Sequence, residues 1–288
     1  MQIEQLVVLY LRHHLHGKPS APYYARLIRQ VFPPIATCEL ATMDKVRLLE
    51  WWTALADRPG HANKALGLLR ASFKWAVAMG FLPLLTVPDP TIGIAKRPEP
   101  MRSTTTSPDE WARLVPYLED LPLKRRVYFW WLYLLGSRPG EVRMVQPSHV
   151  FLNRDTPCWI KPTTKNGRPH VVPLPEQLIP LCRLLLMANP PDAQWLFWGQ
   201  RPAVVWGRTS CQKMWETLRA KAGLKHLWLN DLRRSTASDL LNQGENIGVV
   251  QSQLGHKSLS QTAKYAWLAV QPLQKALQAR TDRIVTRI

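Results

Sequence analysis

From Ala62 the apolar residues Ala62, Ala65, Leu66, Leu69, Phe73, Ala76 and Val77 recur at three- and four-residue steps, which predicts an amphipathic helix. The opposite stripe holds Asn63, Lys64, Gly67, Arg70 and Lys74, a face able to lie along a phosphate backbone or simply to meet water. Residues 5–14, 23–31 and 43–56 alternate in the same way, so the first part of the chain predicts about four short helices. The pattern then breaks. Residues 83–108 contain six prolines, include K-R-P-E-P-M-R-S-T-T-T-S-P and show no apolar period, which reads as a basic linker of polyproline character. A second domain opens at Ser107-Pro108-Asp109-Glu110, where serine as N-cap, proline at the first helical position and glutamate beyond it form a capping box.

Farther on, residues 127–135 (V-Y-F-W-W-L-Y-L-L) predict a buried helix, too short to span a bilayer. Strand-like runs on either side of Asn166-Gly167 predict a β-hairpin. Helical patterns resume from Pro175 to the C-terminus. The fold class expected is mainly α with a small antiparallel sheet, divided as 1–97 (a helical domain), 98–106 (linker) and 107–288 (second domain with a tail helix). No internal repeat is evident.

Charge changes the picture. The chain has 288 residues, 38 Lys+Arg, 20 Asp+Glu, a net charge of +18 and a pI near 10.2. Residues 1–97 hold 12 basic and 6 acidic side chains, the remainder 26 and 14, so the excess is shared by both parts rather than held in a tail. A polyanion is the natural partner. With 46% hydrophobic residues the chain can bury cores and is not a disordered basic tail. Cys38, Cys158, Cys182 and Cys211 form no C-x-x-C pair and are expected as reduced core thiols. The N-terminal residues have no secretory leader character. A cytoplasmic, nucleoid-associated protein is expected.

Five places in the second domain hold polar residues that local structure does not demand. In Gly136-Ser137-Arg138-Pro139-Gly140-Glu141 a very apolar helix ends, Ser137 can cap the next one, and Arg138 sits at a helix start. There it either awaits an anion or pairs with Glu141. Lys165-Asn166-Gly167-Arg168 is the hairpin tip. Asn230-Asp231-Leu232-Arg233-Arg234 opens a helix with asparagine as N-cap and Arg233 in the first turn, again a cation where the helix dipole disfavours one. Leu254-Gly255-His256-Lys257 precedes a short helix, with Ser258 and Gln261 as a second capping-box pair. Tyr265 lies on that helix.

These residues resemble the tyrosine recombinases of the phage-integrase family. The family pattern is an arginine in a G-x-R-x-x-E box, a hairpin lysine, an H-x-L-R box, an L-G-H box and a tyrosine nine residues later. Here they read G-S-R-P-G-E, T-K-N-G-R-P-H-V-V-P-L, N-D-L-R, L-G-H-K and Y, in family order from Ser107 to about Leu277. The resemblance implies that Tyr265 is the nucleophile forming a 3′-phosphotyrosyl link. It implies further that Arg138 and Arg233 clamp the non-bridging oxygens, that His256 bonds phosphate or moves a proton, and that Lys165 protonates the leaving 5′-oxygen. Neither ATP nor a metal is called for, and no cofactor is expected. Lys64, Arg70, Lys74, Arg168, Arg234 and Lys257 are the candidate DNA contacts.

One position departs from the pattern. Asn230 stands where the family usually has histidine; it can donate a hydrogen bond but carries no charge. His226, four residues earlier, is the nearest ionisable substitute. The implied partner is duplex DNA with an inverted-repeat core site, bound by a tetramer of two dimers through a Holliday junction. The C-terminal tail, with Leu273, Leu277, Ile284 and Val285, would dock either on a neighbouring subunit or on its own domain. The absence of an accessory arm-binding domain favours a simple core site, and the biological role expected is integration of a mobile element. The competing readings are a type IB topoisomerase and a catalytically weakened recombinase-fold DNA-binding regulator, the latter resting on Asn230 alone.

Overall fold

A computed structural model describes residues 1–82, 89–100, 102–162 and 169–266, and beyond them residues 272, 274, 275, 277–279 and 281. The chain divides into two compact units, Met1–Met101 and Arg102–Ile288.

The first unit carries α1 (Ile3–His13), α2 (Ala21–Val31), α3 (Lys45–Thr53) and α4 (Pro59–Ala78). Helix α4 packs on α1 and α2. Its apolar repeat is buried as the period requires, with Ala62, Ala65, Leu66, Leu69 and Ala76 wholly inaccessible. The Trp51 indole donates to the Val31 carbonyl (2.8 Å), tying α3 to the end of α2.

The polar stripe of α4 is less uniform than its pattern. Asn63 is buried: its amide donates to the Arg97 carbonyl (2.9 Å) and the Glu99 carboxylate (2.7 Å), and its oxygen accepts the Arg97 N–H (2.8 Å). Arg70 donates to the Thr91 hydroxyl (3.2 Å) and carbonyl (2.8 Å) and to the Ile94 carbonyl. Two stripe residues therefore hold the following segment back against α4. Arg97 adds to this clamp, donating to the Trp52 carbonyl (2.6 Å).

The second unit carries α5 (Pro108–Glu119), α6 (Leu123–Leu135), α7 (Pro139–Arg143), β1 (Val150–Phe151), β2 (Cys158–Lys161) and β3 (His170–Pro173). Then follow α8 (Ile179–Met187), α9 (Arg208–Lys221), α10 (Asp231–Asn242), α11 (Ile247–Leu254) and α12 (Leu259–Ala266). The capping box of α5 is formed: the Glu110 N–H donates to Ser107 Oγ (3.1 Å) and the Ser107 N–H to the Glu110 carboxylate (2.9 Å). Helix α6 runs through the core, with Val127, Tyr128, Phe129 and Trp131 wholly buried. The hairpin is joined by β1 into a three-stranded antiparallel sheet in the order β1-β2-β3. In its register Trp159 faces Val172 and Lys161 faces His170. Pro173 is tolerated because β3 is an edge.

Residues 102–106 do not run free. Arg102 grips the fully buried Asp231 through Nε (3.0 Å) and Nη2 (2.6 Å), and the Thr106 N–H donates to Ser235 Oγ (2.7 Å). The four cysteines are buried free thiols. Among the described residues no helix is long and apolar enough to cross a membrane.

Candidate active site

Helix α6 ends because Gly136 adopts φ +61°, and no other residue fits there: a Cβ would lie 2.8 Å from that of Thr236. The turn brings the Gly136 carbonyl to Arg233, whose Nη1 donates to it (2.9 Å) while Nη2 donates to the Leu254 carbonyl (2.7 Å). Arg233 stands in the first turn of α10 as its sequence position indicates. The charge is not stranded there, however. The C-terminal ends of α6 and α11, where carbonyls lack helical partners and the dipole is negative, converge on one guanidinium. Arg233 is only 6% exposed, and burial together with Arg138 lowers its pKa to about 10, which leaves it a cation at neutral pH. Tyr265 lies beside it and favours its charge.

Helix α11 stops at Gly255 (φ +65°), where a Cβ would meet His170 Nδ1 at 2.7 Å. His170 belongs to β3, and its Nε2 lies 2.7 Å from the Ser252 carbonyl. The glycine of L-G-H thus serves both the left-handed turn and the close approach of the sheet. The next residue, His256, is held at Nδ1 by the buried Thr262 hydroxyl (2.8 Å), and its ring stacks on Tyr265 with centroids 6.1 Å apart. Burial, then Arg233 and Arg138, pushes the imidazole down to about 4, with Glu141 opposing. At neutral pH the ring is therefore neutral, and Nε2 has no protein partner among the described residues.

Arg138 is the N-cap of α7 and is half exposed. Its Nη1 donates to Glu141 Oε1 (2.6 Å), so the pairing alternative holds, yet the guanidinium remains open on its other side to solvent. Glu141 Oε2 accepts from Lys161 Nζ (2.9 Å). Burial raises the Glu141 pKa, but Lys161 and Arg138 outweigh it and hold the carboxyl near 2. The structure thus gathers Arg138, Glu141, Lys161, Arg233, His256 and Tyr265 from α7, β2, α10, the α11–α12 turn and α12.

Several sequence expectations are corrected. Asn230 occupies the N-cap position of α10 but makes no side-chain cap bond and is exposed. Asp231 performs that anchoring instead, accepting the Trp228 N–H (2.8 Å) along with Arg102 and Arg234. The N-cap of α7 is Arg138 rather than Ser137, whose buried hydroxyl has no partner among the described residues. The Ser258 hydroxyl pairs with that of Ser260 (2.8 Å), and it is the Ser258 carbonyl, not the side chain, that accepts the Gln261 N–H (3.1 Å). His226 faces Glu110 (3.0 Å), so it does not stand in for the missing histidine.

Of the candidate DNA contacts, Arg70 and Arg234 are engaged within the fold, by the 91–94 turn and by Asp231. Lys64, Lys74 and Lys257 are exposed, Lys64 lying 5.1 Å over the Tyr23 ring. Lys165 and Arg168 lie outside the described residues, as do Leu273, Ile284 and Val285 of the tail; Leu277 is exposed.

Lys161, His170 and Thr262 were not singled out by the sequence. For Lys161 a signal existed. Alternation along β2 puts it on the face of buried Trp159, and a lysine on the inward face of a strand needs an anion. Among the described residues no group of three or more His, Cys, Asp or Glu is placed to hold a metal ion.

The model of the phage integrase family matches residues 104–271. The tyrosine recombinase XerC of Neisseria gonorrhoeae is 28% identical over 213 residues, covering 71% of this chain and 67% of its own length. The tyrosine recombinase XerA of Thermococcus kodakarensis is 27% identical over 248 residues, covering 80% and 84%. In fold, the chain is similar to the Tn1549 transposon integrase solved with a circular-intermediate DNA (TM-score 0.75, 15% identity, 96% of this chain and 99% of that one). It is similar also to a lambda integrase dimer bound to a core site (TM-score 0.73, 17% identity, 92% and 95%). With more than half of its length matched by the family model, and with the family's arginine, histidine and tyrosine boxes converging on one site, this chain belongs to the phage integrase family of tyrosine recombinases.

Proposed function

We propose that the chain cuts and rejoins duplex DNA at a specific site through a 3′-phosphotyrosyl intermediate. The observation that carries this reading is the meeting of Tyr265 with Arg233 and His256 in one polar cluster. The Tyr265 oxygen forms a bond to the scissile phosphorus as its proton passes to His256; the bond from phosphorus to the 5′-oxygen breaks, and that oxygen takes a proton from Lys165. Attack by a 5′-hydroxyl on the phosphotyrosine reverses the step, so the bond energy is conserved throughout.

Arg138 and Arg233 bind the non-bridging oxygens, with planar forks that stay charged throughout. The free Nε2 of His256 faces the phosphate. The incoming phosphodiester is a monoanion that gains charge in the transition state; it offsets the cations that keep this ring neutral, so His256 gains basicity as cleavage proceeds. Asn230 contributes an uncharged hydrogen bond from the H-x-L-R position. Lys64, Lys74 and Lys257, with Arg168 and Arg234, contact backbone phosphates.

The assembly is a tetramer on an inverted-repeat core site acting through a Holliday junction, the state in which a lambda integrase tetramer has been solved. Integration of a mobile element is the role we infer; the fold likeness to the Tn1549 and lambda integrases supports it. Expression of wild type and Tyr265→Phe, rapid denaturation and sequencing of protein-linked DNA ends test the reading. Adducts at one sequence, absent in Y265F, are expected, and their position in an element end or a chromosomal site decides the role. No adducts even on nicked duplexes of the preferred binding site would mean that Asn230 marks a DNA-binding regulator.

A further inference from the structure

We infer that Lys161 is a positioning residue for strand cleavage: by holding Glu141 from below, it sets the direction in which Arg138 presents its guanidinium to phosphate. This rests on the function proposed above.

Two cations divide the Glu141 carboxylate between them. Oε1 takes Arg138 Nη1 at 2.6 Å, and Oε2 takes Lys161 Nζ at 2.9 Å. They differ in depth: the Lys161 side chain is 7% exposed and that of Arg138 48%. An exposed arginine–glutamate pair on one helical turn is soft, since both side chains can swing and water screens them. A buried ammonium on the second oxygen removes that freedom. Lys161 is held in turn by its strand and by the Trp159 ring beneath it, 4.4 Å from the ammonium. The order of support therefore runs from the sheet through Lys161 to Glu141 and then to Arg138.

Stability alone does not account for this lysine. Its neighbours include two further cations, Arg138 and Arg233, and the His170 imidazole, with Glu141 the opposing anion. Burial and the arginines act against its charge, and an apolar side chain would meet no such opposition. The chain tolerates a buried charge in a crowd of like charges at the place where a guanidinium must be aimed. Lys161 also lies on the strand leading to Lys165, so the same segment carries the proposed proton donor and the support for Arg138.

The experiment uses the full chain and the cleavage site recovered with the covalent trap. Lys161→Met keeps the length and the contact with Trp159 but removes the charge. Single-turnover cleavage should fall on the order of 10- to 100-fold, the loss expected for a misplaced catalytic group, while DNA affinity changes far less. The acid limb of the pH–rate profile should move upward, because Glu141 loses a cation. Lys161→Arg should recover much of the rate, and Lys161→Met should add nothing in a Glu141→Gln background. Cleavage by K161M at the wild-type rate across pH, or an equal further loss in the E141Q background, overturns the inference while leaving the recombinase reading intact. Wild type without adducts fails the recombinase reading instead. In that case carbon-13 NMR of the Glu141 carboxyl still decides: a midpoint higher in K161M supports the coupling, and an unchanged one overturns it. Should K161M not fold, K161R and the E141Q/K161M pair carry the same comparison.

Discussion

The basic stripe of α4 and the basic cluster of the second unit use the same residue types in opposite ways. On α4, Lys64 and Lys74 stand exposed, while Arg70 and Asn63 hold the 91–99 segment to the helix. In the second unit Arg233 and Lys161 are buried, and each is satisfied by groups from other elements: helix-end carbonyls for the arginine, Glu141 for the lysine. A charge on a helix face can be changed without disturbing its neighbours. A charge at the junction of several elements cannot, since each partner is itself a constraint on another residue.

The largest effect that would sharpen this contrast is expected for Arg233→Ala. It leaves the Gly136 and Leu254 carbonyls without their donor, at a cost of roughly 1–3 kcal/mol per buried group. Covalent adduct formation should drop by about three orders of magnitude, in line with loss of a preorganised charge at the transition state. Thermal unfolding and adduct yield check the two parts; a variant of normal stability and normal yield would remove Arg233 from the centre of the site. Arg70→Met comes next. Losing its bonds to Thr91 and Ile94 should destabilise the first unit by about 1–2 kcal/mol, whereas Lys64→Gln and Lys74→Gln should stay within roughly 0.5 kcal/mol. The lysine changes should instead lower the salt slope of DNA binding by about one each. If R70M alone alters the slope and leaves stability untouched, the division within the stripe is wrong.

Acid should act on the second unit through buried titratable groups. His256 sits near 4 in the fold against an ordinary value of 6.5, so the unfolded chain takes its proton first, and stability falls as pH drops from about 6.5 to about 4. Glu141, held near 2 from 4.5, adds a loss only below about 4.5. Melting curves of wild type and His256→Asn across that range test the assignment, because the variant should lose part of the upper step, to which buried His170 also contributes, and keep the lower one.

Much of this was legible in the chain. The three-and-four spacing on α4, the Ser107–Glu110 capping box and the apolar run of α6 each arise from neighbours in sequence, and each element stands where its pattern placed it, as do the paired strands β2 and β3. The ordered boxes around Arg138, Arg233, His256 and Tyr265 were equally readable, because the proposed chemistry calls for those side-chain types in that order. The capping assignments failed for separate reasons: Ser137 lies one residue before the N-cap of α7, the Ser258 hydroxyl pairs with Ser260, and Asn230 yields to Asp231. A residue competent to cap is displaced when a nearby group has a stronger partner, as Asp231 does with Arg102 and Arg234.

By itself, then, the sequence determined the helices, the hairpin, the excess of positive charge and the family boxes, all of them set by short-range pattern and side-chain chemistry. Only the tertiary structure decided which charges meet. It brought the ends of α6 and α11 to Arg233, placed His170 against Gly255 and set Lys161 beneath Glu141. Burial and electrostatic strength depend on distance in space, and residues far apart along the chain acquire that distance only when the elements pack.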